Sequence, residues 1–125
     1  MKGVHFTADL RGCPADNPLM TQVSALQALC TAAVAGAGLR AVGQCFHAFP
    51  PADVHTEGGV TGVVLLAESH LAVHTWPESG VVTLDVFVCN KTADNTMAAR
   101  RLLDDLSQKF WPEQCAIQEV PRVNW

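Results

Sequence analysis

The side chains best able to do chemistry gather between positions 67 and 89: Glu68, Ser69, His70, His74, Glu78, Asp85 and Cys89. Their neighbours are those of core strands, among them Leu71, Val73, Val82, Leu84 and Val86. Polar groups in such company are costly unless a partner satisfies them. Residue types and spacing leave three readings open. A His74 imidazole could activate Cys89 as a thiolate nucleophile. His70 and His74, four apart, could join Cys89 as zinc ligands. All of them could equally be satisfied polar residues of a hairpin, because such clusters point to function only statistically.

The elements that position this stretch follow from periodicity. Alternation at Val4, Phe6, Ala8 and Leu10 predicts a first strand. Leu19, Val23, Leu26, Leu29, Cys30, Ala33 and Val34 recur at spacings of three and four, a helix stopped by Gly36 and Gly38. Residues 39–46 read as a second strand, and residues 49–62, with Pro50, Pro51, Gly58 and Gly59, as a long loop. Residues 63–67 form a continuous apolar strand, residues 71–75 continue extended, and residues 77–80 turn into a β-branched strand over 81–88, the last two segments forming a hairpin. A second amphipathic helix follows, with Asp94 as its N-cap and Met97, Leu102, Leu103, Leu106 and Phe110 as its apolar face. Trp111-Pro112 ends it before a last strand over 116–123.

Strand and helix order without βαβ alternation predicts an α+β two-layer sandwich, an antiparallel sheet with two helices on one face. A chain of 125 residues, 49% hydrophobic, supports one domain with one core. A net charge of −4 and scattered lysines and arginines leave no footprint for nucleic acid or an acidic membrane. The apolar run 23–46 is broken by Gln27, Arg40 and Gln44, so no membrane span is expected. The N-terminus turns polar within nine residues, which predicts no secretory signal and a cytoplasmic protein. Five cysteines at irregular spacing, without a CxxC pair, read as reduced thiols, Cys30 among them as inert core. At 16% charged residues, the uncovered sheet face is well suited to burial against a second copy.

Glu68-Ser69-His70, then His74-Thr75-Trp76-Pro77-Glu78, then an apolar strand carrying Asp85 and ending at Cys89, resembles the central signature of prokaryotic S-adenosylmethionine decarboxylases. That family keeps this serine, a histidine five residues on and a cysteine twenty residues on. The match extends to Gly62-Val63-Val64, to Phe46-His47-x-Phe49 and to Asp9-x-x-Gly12-Cys13.

The resemblance implies a proenzyme that cuts itself between Glu68 and Ser69 into a β chain of residues 1–68 and an α chain of residues 69–125. It implies that Ser69 becomes a pyruvoyl group, which binds the substrate amine as a Schiff base and makes metal unnecessary. It assigns His74 to self-cleavage, as the base that removes the α-proton, and Cys89 to protonation of the substrate α-carbon. Thr61 corresponds to a hydroxyl that supports self-cleavage. Phe49 corresponds to an adenine-stacking aromatic and Glu78 to a ribose partner, with Trp76 and His70 shaping the pocket. The implied substrate is a small amino-acid-type molecule, S-adenosylmethionine, whose product supplies aminopropyl groups for spermidine. The implied assembly is a homodimer of processed protomers with active sites where the protomers meet.

Several positions depart from the pattern. The loop after Phe49 is longer than usual and brings in Asp53, His55 and Glu57; Val81 stands where an aromatic is frequent, and Asn90 where glycine is usual. Extra carboxylates would suit a relative repurposed for L-arginine or L-ornithine, with Asp53 or Glu57 meeting the distal cation. Asn90 and Val81 are the only features that would fit a non-catalytic homologue.

Overall fold

Side chains two apart on a strand share a face, and four strands bury the same set. In β1 (Lys2–Arg11) these are Val4, Phe6, Ala8 and Leu10, and in β3 (Val60–Leu66) they are Val60, Val64 and Leu66. In β4 (Ser69–Trp76) they are Leu71, Val73 and Thr75, and in β5 (Val81–Cys89) they are Val82, Leu84, Val86 and Val88. With β2 (Ala41–Ala48) and β6 (Gln114–Asn124) these strands form one sheet, in the order β2-β3-β4-β5-β1-β6. All neighbours run antiparallel. The computed structural model describes residues 2–124.

Two helices cover the buried face. α1 (Val23–Gly36) packs on β2 and β3, α2 (Thr96–Lys109) packs on β1 and β5, and the helices touch each other. Leu26, Cys30 and Val34 lie one turn apart on α1, and Ala99, Leu102, Leu103 and Leu106 line α2. Each such leucine removed from water contributes about 1.5–3 kcal/mol. The architecture is the two-layer α+β sandwich that the periodicity predicts.

Four local expectations are corrected. Leu19 belongs to a short 3-10 turn, Pro18–Met20, not to α1, because Asn17 accepts from the Leu19 N–H at 3.1 Å and donates to Lys109 O at 2.9 Å. Met97 is 86% exposed; Ala99 occupies the buried face instead, since Met97 falls on the solvent side of the first turn. The N-cap of α2 is Asn95, and Asp94 accepts from the Thr96 N–H from one position further out. The strand predicted over 63–67 spans Val60–Leu66, which moves Thr61 out of the loop and Ala67 into a turn.

The long loop after Phe49 is pinched shut at its base, where the Phe49 N–H donates to Gly59 O at 2.9 Å. A side chain at Gly58 would run into the Phe49 carbonyl oxygen, and one at Gly59 into that of Thr75. Thr75 is buried yet satisfied: its hydroxyl donates to Met20 O at 2.7 Å and accepts from the Val60 N–H at 2.8 Å.

The corrected α2 face gives a stability test. Met97→Ala should leave urea stability within about 0.5 kcal/mol, while Leu102→Ala costs about 2–5 kcal/mol. Equal losses would contradict the assigned face.

Candidate active site

The strand pairing makes a tight turn that residue types did not reveal. Leu66 of β3 pairs with Ser69 of β4, leaving only Ala67 and Glu68 to reverse the chain. Two-residue hairpins prefer Asn-Gly, Asp-Gly or Gly-X, whose glycines accept positive φ. Here Glu68 takes φ +56° with a full side chain. A non-glycine residue in that region costs about 1–2 kcal/mol. The Ala67 N–H donates to Arg40 O at 3.2 Å, tying the turn to the neighbouring edge. The strain thus sits at the residue whose carbonyl precedes Ser69.

Across the sheet, the end of β5 meets this turn. The Cys89 N–H donates to Ser69 Oγ at 3.1 Å, and Cys89 is buried. The Cys89 carbonyl accepts from Asn95 Nδ2 at 2.9 Å. Arg40, Glu68, Ser69, Cys89, Thr92 and Asn95 line a cleft of about 350 Å³. Arg40, Thr92 and Asn95 carry no motif, and only their fold neighbours bring them here.

A second cleft of about 450 Å³ holds the other expected residues. Phe49, Thr61, His74, Trp76 and Glu78 line it, with Glu57 on its rim. Thr61 and His74 face each other across β3 and β4, and the Thr61 hydroxyl meets His74 Nδ1 at 3.0 Å. Trp76 lies tilted against the His74 ring at 5.9 Å, and Phe49 meets His47 edge-on at 4.7 Å. Phe49 is 51% exposed and Trp76 40%, so both rings offer a free face and neither belongs to the core. Asp53 does not join them. Its carboxylate accepts from the His55 N–H at 2.7 Å and the Thr56 hydroxyl at 3.3 Å, within its own loop.

The two groups sit at opposite ends of β4. Ser69 and His74 lie five positions apart, roughly 17 Å at about 3.3 Å each, and an odd spacing points them to opposite faces. His74 pairs with Thr83, six positions along β5 from Cys89, so no His74–Cys89 thiolate pair forms within one protomer. His70 and His74 lie about 13 Å apart by the same rise, too far to share an ion. Among the described residues no three His, Cys, Asp or Glu side chains gather as a metal cluster.

The sheet face turned away from the helices carries a further polar group. His5 Nε2 meets Asp85 at 3.2 Å, His70 stacks on Phe87 at 5.8 Å, and the Arg122 guanidinium lies over the Phe87 ring at 5.7 Å. Partial burial, then His5, lowers the pKa of His70, which fits packing better than proton transfer. All five cysteines are unbridged. Burial pushes the Cys30 thiol up to about 12, an inert core sulfhydryl.

Known proteins resemble this chain in sequence and fold. The family model for S-adenosylmethionine decarboxylase matches residues 4–123. An S-adenosylmethionine decarboxylase proenzyme of Aquifex aeolicus is 37% identical over 86% of this chain and 73% of its own length. One of Sulfurihydrogenibium is 36% identical over 98% of this chain and 86% of its own. The crystal structure of the adenosylmethionine decarboxylase from Aquifex aeolicus superposes with a TM-score of 0.80 at 35% identity, covering 94% of this chain and 88% of that one. A match over nearly the whole length, in sequence and in fold, means that the chain belongs to the S-adenosylmethionine decarboxylase family.

Proposed function

We propose that the chain is a proenzyme that cuts itself between Glu68 and Ser69 and then decarboxylates S-adenosylmethionine. The observation that carries this reading is the left-handed Glu68, set directly before a serine whose hydroxyl is held by the Cys89 N–H. Ser69 Oγ adds to the Glu68 carbonyl carbon, the peptide C–N bond breaks, and an ester replaces it. Residue 68 is then no longer forced through a two-residue peptide turn, so the strain favours the step. Loss of the Ser69 α-proton expels the Glu68 carboxylate, and water releases ammonia to leave a pyruvoyl group at position 69. The products are chains of residues 1–68 and 69–125.

The Ser69 surroundings fit such a group: it would begin β4 in the wall of a cleft that Cys89 also lines. Such a group, held beside Cys89, would supply a carbonyl for the substrate's α-amine and a sink for the electrons released with carbon dioxide. Cys89 supplies the proton to the substrate α-carbon, since misplaced protonation would destroy the ketone.

His74 cannot reach Ser69 of its own protomer, so the reading requires a homodimer in which one copy's Thr61–His74 pair serves the other copy's Ser69. The Thr61 contact at Nδ1 fixes the imidazole and leaves Nε2 to take the α-proton. The partner's second cleft then holds the rest of the substrate. Phe49 and Trp76 offer ring faces to adenine, and Glu78 accepts from the ribose hydroxyls. The five reduced thiols fit a reducing compartment such as the cytoplasm. One observation favours a second substrate class: Glu57 lines the cleft, where a carboxylate would suit the distal cation of L-arginine or L-ornithine.

Labelled carbon dioxide release from S-adenosylmethionine, arginine and ornithine, run side by side, separates the two substrates. Release from S-adenosylmethionine, weakened about tenfold in KM by Phe49→Ala, is expected. Turnover of arginine or ornithine alone, lost in Glu57→Gln, would reverse the assignment.

Two variants test the cut itself. Ser69→Ala and His74→Ala should each stay whole when expressed alone, yet co-expression should cleave the His74→Ala chain by way of its partner. No cleavage in the mixed dimer would rule out the shared site. Glu68→Gly, which accepts positive φ freely, should stabilise the uncut Ser69→Ala chain by about 1 kcal/mol; an unchanged or lower stability would remove the strain argument.

A further inference from the structure

We propose that Asn90 and Asn95 form a positioning latch that holds the Cys89 peptide so that its N–H rests on Ser69 Oγ during self-cleavage; this rests on the self-cleavage reading above. β5 ends at Cys89, and the Asn90 N–H makes a last rung to Lys2 O at 2.8 Å. From there the chain leaves the sheet, and a short connection leads to α2. Three side-chain bonds close that connection on itself. Asn95 Nδ2 donates to Cys89 O at 2.9 Å, the Asn95 N–H donates to Asn90 Oδ1 at 2.8 Å, and Asn90 Nδ2 donates to Thr96 Oγ1 at 3.0 Å. Chemistry sets both amide orientations, since a carbonyl must meet Nδ2 and an N–H must meet Oδ1. The two peptide units that flank Cys89 are therefore both held, the first by its N–H on Ser69 and the second by its carbonyl on Asn95, which fixes the backbone at Cys89 between them.

Asn95 occupies the N-cap position of α2 without serving as a cap. An asparagine used for helix stability turns its side-chain oxygen onto the N–H of the second or third helical residue. Asn95 makes no such bond. It gives its amide to the strand that carries Cys89, and it lines the same cleft as Glu68 and Ser69. The position is thus spent on the site rather than on the helix. Asn90 has a role by the same account, as the acceptor that orients Asn95.

Two aspartate substitutions separate this role from a structural one. Aspartate at position 95 can cap α2 but has no hydrogen to give the Cys89 carbonyl. Aspartate at position 90 keeps the acceptor for the Asn95 N–H, and the Thr96 hydroxyl can rotate to donate to it. Full-length chains made by cell-free synthesis would be followed by intact mass over time, with thermal midpoints measured alongside. Asn95→Asp is expected to melt no lower than the parent yet to self-cleave about three- to tenfold more slowly, the effect of one hydrogen bond. Asn90→Asp should cleave within about twofold of the parent. Parental cleavage by Asn95→Asp, or equal slowing by both variants, would overturn the latch. If the parent chain never cuts, the self-cleavage reading fails by itself. Exchange of the Cys89 amide hydrogen then tests the latch alone: faster exchange in Asn95→Asp supports the grip on that peptide, and unchanged exchange refutes it.

Discussion

The register of β4 between β3 and β5 is the constraint on which the rest of the site depends. Leu71, Val73 and Thr75 must face the helices, so every residue of this strand has its face decided by parity. Ser69 begins the strand at the turn, while His74 lies on the far face near the other end. Slipping β4 by one residue would expose the apolar set and bury His70, Ala72 and His74. The core, worth several leucine-sized burials, therefore fixes the face that each reactive group of β4 takes.

The site is divided between two ends of one sheet, and each half is internally ordered. At one end are a strained turn, a serine whose hydroxyl accepts a backbone N–H, and a cysteine whose carbonyl is held by Asn95, itself oriented by Asn90. At the other are a histidine held by a threonine and two aromatic rings with free faces. A single protomer cannot close a reaction path across roughly 17 Å of strand. In the proposed homodimer, symmetric association of two copies would supply both halves twice and so link assembly to activity.

Much of this was legible in the sequence because it rests on pattern. Period-two burial and helical spacing revealed the α+β sandwich, both helices and the hairpin at residues 77–80, where Pro and Gly mark the turn. The Ala67-Glu68 turn was not legible. It uses neither glycine, asparagine nor proline, and a residue that signals no turn is also one that is strained in it. The separation of Ser69 from His74 was hidden for the same reason, because a sequence cluster looks like a spatial cluster until the strand is drawn out straight. Asn95 could not be read as a Cys89 partner: its type and place suit an ordinary helix cap, and only the fold turns its amide toward the strand. Asp53 and Glu57 looked equivalent in the loop, and the Asx-type turn of residues 53–56 withdraws the first while the second stays on the cleft.

The proposed cut follows the left-handed Glu68, and the intact mass of the purified protein after prolonged incubation tests it most directly. Two chains are expected, residues 1–68 ending in a free carboxylate and residues 69–125 beginning with a pyruvoyl group that cannot be sequenced from its N-terminus. A single chain of 125 residues with Ser69 unchanged would contradict it.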